Sequence, residues 1–175
     1  MNISVILAHP KFGSFNHAIG HTVVSKLENR GHHVFFHDLY QEEFSPLFTA
    51  PELGNAEPGD ELTAQYIDEI VRSEGLVLIH PNWWNQPPAA LKGWVDRVLR
   101  HGLEINIPNA AVFTTANVAP SEPHLLRMIW QQATLPYIGA KSVYYKEFYS
   151  VVRSSPEERE GWLTEVEIGL DLSFG

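Results

Sequence analysis

Cysteine is absent from this 175-residue chain, and several kinds of chemistry are excluded with it. Without a thiol the chain forms no disulfide, holds no Cys-ligated iron–sulfur cluster and offers no cysteine nucleophile. Long apolar runs are missing too, since none approaches the ~20 residues that cross a membrane. No basic segment precedes the first apolar residues, so no signal peptide is apparent and a cytoplasmic location is expected.

Basic residues are few: 12 Lys and Arg stand against 21 Asp and Glu, a formal net charge of −9. A nucleic-acid surface should be basic, so this balance argues against a nucleic-acid partner. A phosphorylated small ligand is still compatible with it, because salt screens charges beyond ~8 Å and local donors then decide binding. Internal repeats and low-complexity tracts are absent as well, and the length predicts one domain, residues 1–175.

Short apolar segments predict the strands of a parallel sheet, because continuous apolar runs are typical of strands covered on both faces. They lie at residues 3–8, 34–36, 76–79, 110–113 and 142–145. Strands alternating with helices imply right-handed crossovers and helices on both faces of the sheet. We therefore predict an α/β chain with a flavodoxin-like, three-layer, doubly wound fold and a five-stranded parallel sheet in the order 2-1-3-4-5.

Apolar residues at helical spacing predict the helices between these strands. They cover residues 18–27, 62–72, 91–101 and 125–133, and a capping box at residues 155–158 begins a last helix. Arg97, Arg100 and His101 close the third helix, where positive charge suits the negative end of the helix dipole.

Ligands of an open α/β sheet bind beyond the carboxyl ends of the strands, where the strand order reverses. The loops after strands 1, 3 and 4 should meet there. Residues 80–88, after strand 3, hold two tryptophans, two asparagines and three prolines, which suit a flat, polar-edged ligand such as a flavin. A purely structural loop is the alternative. Residues 114–117, after strand 4, add two hydroxyls and an amide for a ligand edge, or ordinary turn chemistry.

The loop after strand 1 leads into the first helix and contains two good N-cap residues, Ser14 and Asn16. A capped helix with no further role is one interpretation. A phosphate site is the other, since free N–H groups and roughly +0.5 charge at a helix N-terminus attract anions. Lys11 and His9 add polar or positive contacts. The loop is neither a Walker loop nor a Gly-x-Gly-x-x-Gly turn, so nucleotide binding of those types is not indicated.

Several motifs occur together in the order of a known family. They are His9-Pro10 with Ser14-Phe15-Asn16, then Asp38-Leu39-Tyr40, the run 81–98 with its Trp-x-x-x-Pro and Leu-Lys-Gly-Trp motifs, and Thr114-Thr115. In these motifs the chain resembles the flavodoxin-like NAD(P)H:quinone oxidoreductases, including general stress proteins and the small flavin subunits that accompany potassium-efflux systems. The resemblance covers nearly the whole chain but is weak after about residue 118.

The resemblance implies a bound flavin, which the short chain favours as FMN with FAD as the alternative, and NAD(P)H as co-substrate with a quinone-like acceptor. The flavin contacts carried over from the family are His9, Ser14, Phe15, Asn16, Pro81, Asn82, Trp84, Asn85, Thr114 and Thr115. Backbone N–H groups around them, those of Ala116 and Asn117 included, are expected to stabilise the reduced ring. His124 is the candidate proton donor, with a core or capping role as the alternative.

Two departures from the family fall where the substrate should sit. Members usually follow the two threonines with glycines, a tyrosine and a histidine, whereas residues 116–124 contain neither Gly nor Tyr. The aromatic, Gly-rich insertion after Gly102 is replaced by the short segment 103–108. A flavin-binding regulatory subunit or stress-response partner therefore stays open as an alternative. An electron-carrying flavodoxin is a further alternative, which the His-Pro start and the Trp83-Trp84 loop fit less well than the reductase pattern. The resemblance also implies a homodimer whose partner completes each site, and it allows a membrane-transporter partner.

His17 and His21 have the i, i+4 spacing of a zinc-peptidase motif, but Ala18 replaces the glutamate that accompanies such a pair. A solvated helix face is therefore predicted in preference to a metal hydrolase, and no metal site is expected.

The tryptophans of the 81–98 run are predicted to have different roles. Trp94 should pack in the core because it lies at core spacing on a helix. Trp84 is expected to be the main flavin or substrate contact, and Trp83 to face a neighbouring subunit.

Overall fold

The computed structural model describes residues 1–54, 58–100, 102–118 and 125–175. Its strands form one parallel sheet in the order β2-β1-β3-β4-β5, which confirms the predicted fold class and strand order. The strands are β1 (Asn2–Leu7), β2 (His33–Asp38), β3 (Gly75–Pro81), β4 (Asn109–Thr115) and β5 (Ser142–Phe148). The central strands β1, β3 and β4 are buried along almost their whole length, as their apolar runs predict.

Helices cover both faces of the sheet. They are α1 (Phe15–Asn29), α2 (Glu61–Val71), α3 (Ala89–Val98), α4 (Leu125–Met128) and α5 (Pro156–Phe174). A π-helical stretch, Ile129–Thr134, and a 3₁₀ turn, Leu135–Ile138, continue α4. Further 3₁₀ turns lie at Pro51–Gly54 and Val151–Arg153.

Two separate cores result from the alternation of side chains along each strand. Val5 and Leu7 of β1 pack with α1 and α5, whereas Ile6 packs on the opposite side with α2, α3 and the α4 region. The sheet is thus the middle of three layers, and both faces are sealed. Its carboxyl edge, where β1, β3 and β4 end, is the part of the sheet that remains available to a ligand.

The Leu-Lys-Gly-Trp motif of α3 has a packing explanation. A Cβ atom added at Gly93 would lie 2.3 Å from the carbonyl oxygen of Pro46, so only glycine lets this loop approach the helix. Trp94, the next residue, is almost completely buried, which confirms its predicted core role.

Arg97 lies in the last turn of α3, as predicted, but the helix ends earlier than expected and the side chain has partners that the sequence did not reveal. The helix ends at Val98, and the Arg97 side chain is buried, where its Nε and Nη2 donate to Oε1 of Glu52 at 3.0 and 2.9 Å. Nη2 also donates to Asp60 at 2.6 Å. A buried guanidinium needs such partners, and these carboxylates come from distant parts of the chain. His101, the other end of the predicted helix, lies outside the described residues.

Candidate functional site

A cavity of about 410 Å³ opens at the carboxyl edge of the sheet. All three predicted loops reach it, together with the segment between β5 and α5 and the start of α5. Its lining residues are His9, Lys11, Gly13, Ser14, Phe15, Asn16, Pro81, Asn82, Trp83, Thr115, Ala116, Asn117, Val151, Val152 and Arg159.

The cavity gathers most of the predicted site residues, but not all of them. Thr114 is buried beside the lining, where its hydroxyl lies 3.1 Å from that of Tyr145. Trp84 and Asn85 form a turn outside the lining, and Trp83 lines the cavity in their place. His124 lies outside the described residues, so its role as proton donor stays a prediction.

Sequence reasoning missed the contribution of the segment between β5 and α5 and of the start of α5. Val151, Val152 and Arg159 line the cavity, and the Arg159 guanidinium is held by Oγ of Ser154 and the carbonyl oxygen of Val151. Val151, Val152 and Arg159 belong to no motif themselves, and the position of β5 at the sheet edge brings them to the cavity. The side chain of Arg159 adds a cation to the lining.

Hydrogen bonds that continue past the strand ends fix the loops that form the cavity. The N–H of Ala8 donates to Ile79, and that of Asn82 donates to Thr115, at 2.9 and 2.7 Å. The N–H of Ala116 donates to the carbonyl oxygen of Phe148 at 2.8 Å, so it is not free for a ligand, contrary to our expectation. The first residue of each loop therefore continues the hydrogen-bond pattern of the sheet.

Asn16 was predicted as a capping residue, but it lies inside α1 and is only 2% exposed. Its Nδ2 donates to Oγ1 of Thr115 at 2.9 Å, which joins the start of α1 to the end of β4. Its Oδ1 has no hydrogen-bond partner within the described residues. Buried polar atoms are seldom left unpaired, so this oxygen at the cavity points to a missing ligand group.

Ser14 is the N-cap residue of α1, but its side chain does not cap the helix. The Ser14 hydroxyl instead lies 2.9 Å from Nδ1 of His17. The first N–H groups of an α-helix have no intrahelical partner, so this helix end offers donors and positive potential to the cavity. Burial lowers the pKa of His9, which lines the same end.

The prediction of a solvated face for His17 and His21 was wrong for His17. His21 is exposed, but His17 is 5% exposed, and its Nε2 lies 2.9 Å from Oδ2 of Asp38. Where the structure describes the chain, it groups no three His, Asp or Glu side chains that could hold a metal ion.

Two consecutive residues of the turn after β3 have left-handed backbone conformations. Trp84 has φ 57° and Asn85 has φ 58°, while Trp83 and Gln86 exchange backbone hydrogen bonds of 3.1 and 3.0 Å. This is the pattern of a type I′ turn, which asparagine and glycine adopt readily and tryptophan does not. The indole of Trp84 is 98% exposed, so the strain has no compensation in packing within the described residues.

A buried carboxylate orients Asn82 at the other end of the cavity. Nδ2 of Asn82 donates to Oε1 of Glu147 at 2.7 Å, and the hydroxyls of Tyr145 and Tyr149 donate to Oε2 at 3.1 and 3.0 Å. A carboxylate only accepts hydrogen bonds, so the amide nitrogen must face it and the amide oxygen is left for a ligand. Burial, acting with Glu147, raises the pKa values of both tyrosines, that of Tyr149 to about 12.

The arrangement defines the class of site: an anion-attracting helix N-terminus and a polar-edged cavity at the switch point of a doubly wound parallel sheet. The model of the Flavodoxin_2 family, described as having a flavodoxin-like fold, matches residues 1–164, and the chain belongs to this family.

Individual relatives and solved structures resemble the chain as well. A protein of Haemophilus influenzae named as an uncharacterized NAD(P)H oxidoreductase is 39% identical over 112 residues, which cover 62% of this chain and 55% of the relative. Human ribosyldihydronicotinamide dehydrogenase (quinone) is 27% identical over 199 residues, covering 91% of this chain and 86% of the relative. The structure of an NAD(P)H:quinone oxidoreductase from Methanothermobacter marburgensis superposes with a TM-score of 0.85 at 26% identity, covering 100% of this chain and 97% of the other.

The chain thus spans about half the length of the Haemophilus relative, 55%. Within the ranges that the structure describes, no helix combines the length and the hydrophobicity needed to cross a membrane.

Proposed function

We propose that the protein is a flavin-dependent NAD(P)H:quinone oxidoreductase, formed by residues 1–175 as one domain, that binds FMN in the cavity at the carboxyl edge of the sheet. The names of its relatives support the class of reaction. The observation that carries the proposal is the unpaired Oδ1 of Asn16, a nearly buried acceptor in a cavity that otherwise offers donors to an anion. A ligand with both hydroxyls and a phosphate fits this combination.

The phosphate end of the ligand would bind at the start of α1. Free N–H groups of the first helical turn, which includes Phe15 and Asn16, would donate to phosphate oxygens, and the helix dipole favours the negative charge. Lys11 lies on the same lining and adds a positive charge. A ribityl hydroxyl would supply the hydrogen bond that Oδ1 of Asn16 lacks.

The ring end of the ligand would lie between Pro81, Asn82 and Thr115, residues of two loops that the Asn82–Thr115 hydrogen bond already joins. Oδ1 of Asn82 would accept from an N–H on the ring edge. The backbone N–H of Asn117 is a further donor candidate, and Trp83 supplies an apolar surface. Three predicted contacts lie beside the lining and would act indirectly. Trp84 and Asn85 would contribute from the turn at the rim of the cavity, and Thr114 from its buried position behind the lining.

FMN held there would supply the redox chemistry: uptake of a hydride from NAD(P)H at the ring N5 and delivery of the electron pair to a quinone-like acceptor that follows in the same place, a ping-pong sequence. The protein's part is to hold the ring with one face open, to exclude water from the other face, and to provide fixed dipoles for the charge that develops. NAD(P)H as reductant favours the cytoplasm as the place of action.

We also propose that two copies associate over the mouth of the cavity. Apolar side chains are strongly exposed around it: Phe12, Trp84, Val118 and Val152. Exposed apolar groups that cluster around a cavity indicate a surface that another molecule covers. A second copy of the chain would shield these side chains from water and complete the cavity.

The absorption spectrum and the mass of the released cofactor from purified protein test the proposal. We expect FMN, and we expect stopped-flow mixing with NADPH to bleach the flavin absorbance, with quinone restoring it. Asn16→Ala should weaken FMN binding, whereas Asn29→Ala, at the exposed end of the same helix, should not. Protein that binds neither FMN nor FAD at micromolar concentration, or a bound flavin that NAD(P)H leaves oxidised, would overturn it.

A further inference from the structure

Ser14, His17 and Asp38 form a hydrogen-bonded row from the cavity into the interior. Nδ1 of His17 lies 2.9 Å from the hydroxyl of Ser14, a residue that lines the cavity, and Nε2 lies 2.9 Å from Oδ2 of Asp38. The other oxygen of Asp38 accepts from the N–H groups of Tyr40 and Gln41 at 3.1 and 3.2 Å. His17 and Asp38 are both buried, so water does not compete for these bonds.

The row has two states that differ by one proton. A carboxylate has no proton to donate, so the bond to Asp38 places a hydrogen on Nε2 of His17. If the ring is neutral, Nδ1 accepts a hydrogen bond from the Ser14 hydroxyl, and the hydroxyl hydrogen is then not available to a ligand in the cavity. If the ring is charged, Nδ1–H donates to Oγ instead, and the Ser14 hydroxyl hydrogen is free to point into the cavity.

The charges that face His17 come from two elements. Asp38 approaches from the end of β2, and the ring of His9, in the loop after β1, meets it edge-on with 6.2 Å between the ring centroids. Lys11 is close enough to His9 to interact with it electrostatically. A phosphate dianion at the start of α1 would add two negative charges beside Ser14 and favour the charged ring.

We propose that phosphate binding at this end of the cavity is coupled to the uptake of a proton by His17, which turns the Ser14 hydroxyl into a hydrogen-bond donor to the phosphate. The proton comes from solvent and resides on Nδ1, and no covalent bond forms or breaks. His17 does not touch the ligand and is therefore a positioning residue. The inference rests on the proposed function, because it takes FMN as the source of the phosphate.

Calorimetric titration of the flavin-free protein with FMN tests the coupling. At about pH 8 the FMN phosphate is already dianionic, since the second pKa of such a phosphate is about 6. Repeating the titration in two phosphate-free buffers of different ionisation enthalpy gives the number of protons taken up. Riboflavin, which has the same ring and hydroxyls but no phosphate, is the matched ligand.

We expect more proton uptake with FMN than with riboflavin, and we expect His17→Gln to abolish the difference. The same variant should weaken FMN binding about tenfold, the loss of one charge-assisted hydrogen bond, and leave riboflavin binding unchanged. His9→Asn removes the other nearby histidine, and the difference in uptake should survive it. If His17→Gln does not fold, Ser14→Ala should show the same selective loss for FMN.

Equal proton uptake with the two ligands would overturn the inference and leave the proposed function standing. The inference would also be overturned if the difference in proton uptake between FMN and riboflavin disappeared in His9→Asn but persisted in His17→Gln. His9 would then be the proton acceptor. Failure of both FMN and riboflavin to bind would overturn the proposed function itself.

Discussion

Nδ2 of Asn82 donates to Glu147 at 2.7 Å, which places a carboxylate of 8% exposure directly behind a side chain that lines the cavity. Within the described residues no cation lies at ion-pair distance from Glu147, and its other oxygen accepts from two tyrosines. The site therefore has a fixed negative charge beside the proposed ring position, where the reduced cofactor would carry negative charge of its own.

Glu147→Gln removes this charge and should raise the midpoint potential of bound FMN by tens of millivolts, since about 30 mV corresponds to about 1.4 kcal/mol for a two-electron couple. Spectroelectrochemical titration of the loaded protein measures the shift. Glu165→Gln makes the same substitution at a partly exposed carboxylate paired with Lys146, and it should leave the potential unchanged. Equal potentials for wild type and Glu147→Gln would contradict the prediction.

Trp84 keeps a left-handed backbone that a tryptophan adopts at a cost of about 1–2 kcal/mol. Trp84→Asn supplies a residue suited to this turn, so the free energy of unfolding should rise by up to about 1 kcal/mol. NAD(P)H oxidation should fall in the same variant, because strain of this kind is retained where function needs the side chain. Urea denaturation and steady-state kinetics measure the two effects.

Tyr137→Asn removes another strongly exposed aromatic side chain that does not line the cavity, and it serves as the control for Trp84→Asn. Its activity should match wild type. A Trp84→Asn protein that is less stable than wild type, or equally active, would refute the idea that the turn stores strain for function.

His37 should make stability depend on pH above neutrality. Burial alone would lower the pKa of its ring, but hydrogen bonds to Glu42 and Glu69 outweigh burial and raise it. A raised folded-state pKa stabilises the protein fully below the unfolded value of about 6.5, and the contribution is lost as the pH rises through the folded value. The free energy of unfolding should therefore decline from about pH 6.5 upward.

Urea denaturation over a pH series measures this decline, which His37→Gln should abolish. His33→Gln, at the exposed start of β2, should retain the wild-type profile. The same decline in His37→Gln would assign the effect to another group.

The sequence predicted the strands well because burial on both faces leaves a local record, a continuous apolar run. It placed the end of β3 too early, since residues 80 and 81 look like a loop when read locally. In the structure Nε2 of His80 accepts from the indole of Trp130 at 3.0 Å, a partner 50 residues away. Burial lowers the pKa of His80 to about 4, so a neutral histidine continues the strand.

Partners distant in sequence explain the other differences. Apolar spacing predicts the helix that contains Arg97, but it does not reveal that the folded chain places Glu52 beside this side chain as an ion-pair partner. In the same way the histidine spacing of α1 gave no sign of Asp38. The three loops could be placed at one edge because topology alone decides where parallel strands end, whereas Arg159 reaches that edge by a route that no local pattern records.

The hydrogen bond between Asn16 and Thr115 joins two sides of the cavity in the ligand-free protein. Folding therefore already includes most of the entropy cost of ordering the cavity. A ligand then loses less of its interaction energy to ordering the protein, and more of that energy appears as affinity. The same hydrogen bond couples the two elements, so a displacement of the start of α1 should also displace the end of β4.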